Sequence, residues 1–216
     1  MEEMTTDQVV SQLAGDIESR MGSGAGALVV MLCGPPGAGK TTLCNAIKTL
    51  LGEQTVEILC DDRELFARRV RAELGINGID RRARDMQQLK ADLACFAGGS
   101  PIADKLYDRS TPDSPKVKAV GSLQPKPVVL LDGFSWCYED FDGMWDLKYL
   151  FLPHSFEASE KMSMERDLDE RSYNAAEAES KHALAYRTYT ENIDNIRQGA
   201  SRIYRVSAQH DFMPER

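Results

Sequence analysis

The sequence lacks several features that mark large classes of protein. Its cysteines are odd in number and none stands in a C-x-x-C pair: Cys33, Cys44, Cys60, Cys95 and Cys137. This spacing indicates neither a zinc site nor a disulfide framework, and it predicts free, mostly buried thiols in a reducing cytosol. No apolar run approaches the roughly 20 residues that cross a bilayer, so we expect no membrane contact. The N-terminal MEEMTTDQ lacks the basic and apolar segments of a secretory signal, which favours a cytoplasmic protein.

Positive charge is also in short supply. The 216 residues carry 26 Lys and Arg against 34 Asp and Glu, for a formal net charge of −8. Such a chain is poorly suited to a phosphate backbone, so we expect no nucleic-acid partner. An anionic ligand would have to be held by a small, local positive site. The three histidines, His154, His182 and His210, show no metal-ligand spacing and are expected to be incidental.

Apolar periodicity predicts strands that alternate with helices. The strands are expected at 27–33, 56–60, 128–131, 147–152 and 203–206. Helices are expected at 4–21, 63–75, 86–97, 156–171 and 180–198. A further helix is expected to begin at the end of a glycine-rich loop and to end at about residue 51. Residues 99–127 are proline-rich and are expected to form a long loop. This order predicts a parallel sheet with helices on both faces.

The N-terminal segment is expected to stand ahead of one main domain. We assign residues 1–26 to a helix, capped by Thr6, and a flexible joint, and residues 27–216 to the domain itself. The apolar face of this helix either packs on the flank of the sheet, which we favour, or binds a partner. A homodimer is one form such a contact could take.

Gly34-Pro35-Pro36-Gly37-Ala38-Gly39-Lys40-Thr41 matches the phosphate-binding pattern G-x-x-x-x-G-K-[ST]. A buried strand precedes it and a helix follows it, which is the setting the pattern requires. Backbone amides of the loop can surround phosphate oxygens, Lys40 can reach the β- and γ-phosphates, and Thr41 can ligate Mg²⁺. We therefore predict a three-layer P-loop NTPase fold that binds ATP and Mg²⁺. The predicted nucleotide contacts are Gly34, Pro35, Pro36, Gly37, Ala38, Gly39, Lys40, Thr41 and Thr42.

Acidic residues follow two of the buried strands. Asp61 and Asp62 follow the second strand, and Asp132 ends the third. Ligands of open α/β sheets bind at these strand ends. We expect Asp61, with Asp62 as the alternative, to accept the proton of an acceptor hydroxyl, and Asp132 to support Mg²⁺. Alternation along a strand allows only one of the two adjacent aspartates to point into the site.

Several longer segments resemble the uridine kinase, nicotinamide riboside kinase and phosphoribulokinase group of P-loop kinases. The segments are Asp61-Asp62, Asp85 to Leu89, Leu106-Tyr107-Asp108, Val129 to Phe134, Met164 to Arg171, and Tyr186 with Tyr189. The resemblance implies transfer of the γ-phosphoryl group of ATP to a hydroxyl of a nucleoside-like or other small metabolite. It implies that Asp61 is the base, that Tyr107 and Asp108 contact the acceptor, and that residues 85–127 form the acceptor segment.

The resemblance also implies a small lid at about 160–175, with Arg166 and Arg171 stabilising the transferred charge. An exposed ion-pair face is the alternative for these arginines. Phe134, with Trp136 and Tyr138, either stacks on a planar acceptor or packs under its loop, and packing is favoured. Ser110-Thr111-Pro112-Asp113 stands where the group has histidine and arginine. The resemblance thus implies the kinase class rather than one acceptor.

Two other functions remain open from the residues. The sequence has no N-K-x-D motif, which a GTPase would use to read its base. A regulatory module that binds ATP without transferring phosphate, and a simple P-loop NTPase without an acceptor, both fit the phosphate-binding loop. The strand-end aspartates favour the kinase, because a binding module does not need a base.

Overall fold

The computed structural model describes residues 3–22, 24, 26–76, 78–107, 117–169 and 175–215. Strands and helices alternate along most of this length. The strands are β1 (Leu28–Cys33), β2 (Val56–Cys60), β3 (Ile102–Tyr107), β4 (Val117–Leu123), β5 (Val128–Asp132), β6 (Leu147–Pro153), β7 (Arg202–Val206) and β8 (Phe212–Pro214). The helices are α1 (Thr6–Arg20), α2 (Lys40–Leu51), α3 (Arg68–Glu73), α4 (Met86–Ala97), α5 (Phe156–Asp169), α6 (Ala175–Glu191) and α7 (Ile193–Arg197).

Six strands form one sheet in the order β2-β5-β1-β6-β7-β8. The first five are parallel, and β8 pairs antiparallel with β7. Every residue of β1, β5 and β6 is buried, which explains why their sequences are apolar apart from Asp132 and Lys148. One core cluster joins the sheet to α1 and α2, and the other joins it to α4 and α6. The predicted parallel sheet with helices on both faces is confirmed.

Helix α1 packs on the flank of this sheet. Thr5 caps it with a reciprocal capping box to Gln8, one residue before the expected cap. Its buried face joins the core, and Asp16 accepts hydrogen bonds from the Arg202 guanidinium at 2.6 and 2.8 Å. Met4 pairs with Phe212, the first residue of β8. The apolar face of α1 is thus covered by this chain.

The prediction of a helix at 63–75 is wrong for most of its length. Residues 61–64 form a 3₁₀ turn, and a true helix, α3, starts at Arg68. Leu65 pairs with Arg84, and the Phe66 amide donates to the Ala83 carbonyl at 2.8 Å. These backbone contacts hold the chain extended between the turn and α3, overriding the local helical preference.

The long loop expected at 99–127 is also wrong. Strands β3 and β4 form an antiparallel hairpin as a separate two-stranded sheet, with a bulge between Asp104 and Lys105. The bulge interrupts the alternation by which a strand is recognised in a sequence. Residues 108–116, between the strands, lie outside the described residues.

Near the C-terminus, the helix expected at 180–198 is two helices that meet at Asn192, and β8 was not predicted. Cys33 and Cys137 lie side by side, with their Cα atoms 6.0 Å apart, because the turn after β5 folds back to the end of β1. Cys33, Cys44 and Cys137 are buried, whereas Cys95 is exposed. None of the described helices has both the length and the apolar character needed to cross a membrane.

Candidate active site

The phosphate-binding loop joins the end of β1 to the start of α2, as predicted. Gly37 has a φ of +86°, and a Cβ there would lie 2.9 Å from the Ser163 amide nitrogen of α5. Both the conformation and the close approach therefore require glycine. Ala38 is fully buried, and Thr42 is exposed on the first turn of α2.

Lys40 folds back over this loop. Its ammonium donates to the carbonyl oxygens of Gly34 and Pro35, both at 2.9 Å, and the residue is 8 % exposed. The positive charge thus lies within the loop and at the N-terminus of α2, where the helix dipole adds to it. This is the local positive site that the acidic composition required.

Thr41 and Asp132 meet across the end of the sheet. The Thr41 hydroxyl donates to Asp132 Oδ2 at 2.7 Å, although the residues are 91 positions apart. A hydroxyl and a carboxylate are hard oxygen ligands of the kind that Mg²⁺ prefers, so these residues fit the predicted metal. Among the described residues, no cluster of three or more His, Cys, Asp or Glu side chains could hold a metal by itself. Mg²⁺ here would take its other ligands from water and phosphate oxygens.

Asp61 lies beside this pair. Cys60 is the sheet neighbour of Asp132, and Asp61 follows it. The Asp61 carboxylate is buried, accepts the Ser135 amide hydrogen at 2.7 Å on Oδ2, and lies 3.3 Å from the Arg84 guanidinium. Burial raises the pKa of Asp61, and the Arg84 charge opposes that rise while the neighbouring Asp62 adds to it.

Asp62 points differently from Asp61. Its Oδ1 accepts a hydrogen bond from Arg84 at 3.0 Å, and its side chain is 23 % exposed. The two aspartates therefore share one guanidinium while only Asp61 is enclosed by the turn after β5.

Gly133 makes room for the Asp61 carboxylate. Its φ is +145°, and a Cβ at this position would lie 2.2 Å from Asp61 Cγ. The chain after Asp132 can come this close to Asp61 because residue 133 has no side chain. The glycine of the Asp132-Gly133 pair is thus part of the site.

Arg84 was missed by sequence reasoning. Its side chain is buried and also donates to the carbonyl oxygens of Asp61 at 3.1 Å and Gly78 at 2.6 Å. It stands in an arginine-rich stretch, DRRARD, in which Arg81 and Arg82 pair with surface aspartates. Nothing in the sequence distinguishes the buried arginine from these two.

A second buried polar cluster ties the turn at 61–64 to the hairpin. The Arg63 guanidinium donates to Asp92 at 3.2 Å and to the Ala103 carbonyl at 2.6 Å. Lys105 of β3 is paired with Glu64. The segment that carries Asp61 is therefore anchored to both α4 and β3.

Two of the three histidines make contacts inside the fold. His210 Nε2 lies 3.2 Å from the Gly37 carbonyl oxygen, and because a carbonyl only accepts, Nε2 must carry the hydrogen. His182 is buried, with Nε2 3.1 Å from Ser159 Oγ. The sequence does not reveal these contacts, because they join segments that are separated along the chain.

The remaining predicted residues are less defined. Phe134 is 7 % exposed and packs edge-on against Tyr138, and Trp136 is fully buried. This is the packing arrangement that the sequence favoured. The structure describes only the backbone of Tyr107, at the end of β3, and of Arg166, in α5. Asp108 and Arg171 lie outside the described residues.

Comparison with known proteins relates the chain to solved structures alone. No protein-family model and no curated protein matches it. D-glycerate 3-kinase from Cryptococcus neoformans var. grubii matches at 11 % identity, over 96 % of this chain and 98 % of that one, with a TM-score of 0.74. Phosphoribulokinase from Rhodobacter spheroides matches at 13 % identity, over 83 % and 70 %, with a TM-score of 0.60.

The chain has the P-loop kinase fold. A protein described as a possible uridine kinase from Bacillus stearothermophilus shares it, at 17 % identity over 90 % of this chain and 96 % of that one, with a TM-score of 0.58. At these identities the likeness establishes the fold alone, and this fold is the α/β P-loop fold that the sequence predicted. The site residues of this chain must carry the argument for its activity.

Proposed function

We propose that the protein is an ATP-dependent kinase that transfers the γ-phosphoryl group to a hydroxyl of a small metabolite. The observation that carries this proposal is the arrangement at one edge of the sheet. Lys40, the Thr41–Asp132 pair and the buried Asp61 carboxylate lie at the ends of three adjacent strands. A cation, a metal-binding pair and a carboxylate base are the parts that phosphoryl transfer to a hydroxyl needs.

The phosphate-binding loop is proposed to hold the triphosphate. Residues 34–42 would surround its oxygens with backbone amides, and Lys40 would exchange the Gly34 and Pro35 carbonyls for phosphate oxygens. Thr41 and Asp132 would hold Mg²⁺, which neutralises charge on the phosphates when bound. Fixed positive charge at the transferred group is the largest contribution that such a site makes to the rate.

Asp61 is proposed as the base, with Asp62 as the alternative. As the acceptor oxygen bonds to the γ-phosphorus and the bond to the ADP oxygen breaks, the hydroxyl proton passes to the aspartate. The deeper enclosure of Asp61, between Ser135 and Arg84, supports the first choice. Arg166 and Arg171 are proposed to come from the lid at 160–175 and to stabilise the charge on the transferred group.

The acceptor is proposed to bind between the turn at 61–64 and the segment 85–127, where Tyr107, Asp108 and Phe134 are candidate contacts. Nucleoside-like compounds and short hydroxy acids both fit the proposal. Proteins of the same fold include a D-glycerate 3-kinase and a phosphoribulokinase, so the fold accommodates acceptors of different kinds.

The test is a screen for ADP release with the purified chain, ATP and Mg²⁺. The candidate acceptors are nucleosides, ribosides, pantothenate, glycerate and sugar alcohols, and Lys40→Met is the control. We expect one class to stimulate ADP release and to yield a phosphorylated product by mass spectrometry. Hydrolysis that no acceptor stimulates would favour an NTPase, and ATP binding without turnover would favour a regulatory module.

A further inference from the structure

Arg84 occupies an unusual position beside the candidate base. Its guanidinium lies between two consecutive aspartates, 3.3 Å from Asp61 Oδ2 and 3.0 Å from Asp62 Oδ1. Its side chain is 5 % exposed, whereas that of Arg81 on the same segment is 50 % exposed. A buried arginine keeps its charge, so it places one fixed positive charge between two carboxylates.

The backbone contacts of Arg84 fix where that charge lies. Nε donates to the Asp61 carbonyl and Nη1 donates to the Gly78 carbonyl. These two hydrogen bonds hold the planar guanidinium in addition to its contacts with the carboxylates. A lysine ammonium has no such fork and could not make all of these bonds at once. The position of the positive charge relative to Asp61 is therefore determined by the fold.

Both of these contacts with the Asp61 carboxylate are made at one of its two oxygens. The Ser135 amide donates to Oδ2 at 2.7 Å, and the Arg84 guanidinium lies 3.3 Å from the same oxygen. An aspartate held by one oxygen keeps the other to accept a proton, while Asp62 is occupied by its own, shorter contact with Arg84.

We propose that Arg84 is a positioning residue for phosphoryl transfer, which holds the Asp61 carboxylate through Oδ2 and leaves Oδ1 to take the acceptor proton. This inference rests on the proposed kinase function. It explains why Asp61, and not Asp62, is the base by the position of Arg84. Arg84 lies outside the phosphate-binding loop and outside the segments that resemble known kinases. The inference also gives Arg84 a role in the reaction, through its contact with Asp61.

The test compares Arg84→Gln and Arg84→Lys with Arg81→Gln, a matched loss of charge on the same segment. The readouts are kcat, the KM for the acceptor found in the screen, the Kd of a fluorescent ATP analogue, and the thermal midpoint. We expect Arg84→Gln to lower kcat by about 100-fold or more, within the range for a general base. Its Kd for the nucleotide should stay within about twofold, because the hydrogen bonds of Arg84 go to Asp61, Asp62 and Gly78 and not to the phosphate-binding loop. Arg84→Lys should recover part of kcat, and Arg81→Gln should match the wild type.

The outcomes separate this inference from the proposed function. If the wild type phosphorylates no acceptor, the proposed function fails and the inference fails with it. If the wild type is active and Arg84→Gln keeps its kcat, the inference alone is wrong. The inference is also overturned if both Arg84 variants unfold or lose nucleotide binding together with kcat, because that result shows a purely structural residue.

Discussion

The hydroxyl of Thr41 donates to Oδ2 of Asp132 at 2.7 Å and so links the first turn of α2 to the end of β5. We expect Asp132→Asn to weaken the binding of Mg²⁺ more than the binding of ATP, because the amide keeps a hydrogen-bonding oxygen but loses the negative charge. The measurement is the Mg²⁺ concentration that gives half-maximal activity, which should rise by about tenfold or more for a lost charged ligand. Asp142→Asn, a distant surface change, is the control, and an unchanged Mg²⁺ requirement would contradict the assignment.

Asp61→Asn tests the base directly. The amide preserves the size of the side chain and can still accept the Ser135 amide hydrogen, but it cannot take a proton at neutral pH. We expect kcat to fall by about 100-fold or more while the nucleotide Kd changes little. Asp7→Asn, at an exposed position in the first turn of α1, should leave kcat unaffected. Full activity of Asp61→Asn would transfer the role to Asp62.

Gly133→Ala should disrupt the site through one methyl group. The new Cβ would overlap the Asp61 carboxylate, so the turn after β5 or Asp61 has to move. We expect a loss of about 1–3 kcal/mol in the free energy of unfolding, as for other overpacked interiors, together with a lower kcat. Gly143→Ala is the matched control, since Gly143 also has a positive φ but has open space around it. Equal losses for both variants in urea unfolding would show that backbone strain, and not the contact with Asp61, is responsible.

His210→Ala should loosen the phosphate-binding loop. The imidazole donates to the Gly37 carbonyl, and its own backbone is held at a φ of +62° by a turn around Ser207. Loss of one hydrogen bond of about 1 kcal/mol predicts a rise of about fivefold in the nucleotide Kd. His154→Ala, at an exposed position, is the control. A Kd equal to that of the wild type would show that the contact does not support the loop.

The Asp16–Arg202 ion pair should make the free energy of unfolding decrease as the pH falls below about 4. The Arg202 hydrogen bonds lower the pKa of Asp16 in the folded chain. This stabilisation is therefore full above the unfolded pKa of about 4, and is lost as the pH falls through the lower folded value. Since the pair is partly exposed, we expect about 0.5–1 kcal/mol. Asp16→Asn should lose that amount at pH 7 and much less at pH 2 in urea unfolding, with Asp7→Asn as the control.

The sequence was sufficient where the structure depends on neighbouring residues. The phosphate-binding loop and the acidic strand ends were predicted because a buried strand, a glycine-rich turn and a helix follow one another directly. Arg84 and His210 were not found, because their roles come from contacts with Asp61 and Gly37, which are 23 and 173 positions away. The hairpin of β3 and β4 was also not predicted, because its bulge interrupts the alternation of side chains along the strand. Local patterns predict elements, while the placement of single side chains is decided by tertiary packing.

The hairpin of β3 and β4 is a sheet of its own beside the six-stranded sheet. Its links to the rest of the chain are the polar cluster of Arg63, Glu64, Asp92 and Lys105 and the packing of Ile102 in the core. Its strands take their ladder hydrogen bonds from each other. Substitutions along it can therefore accumulate without disturbing the register of β1, β5 and β6. If the protein is the proposed kinase, changes along the hairpin would alter the acceptor that it prefers while the phosphate-binding loop stays the same.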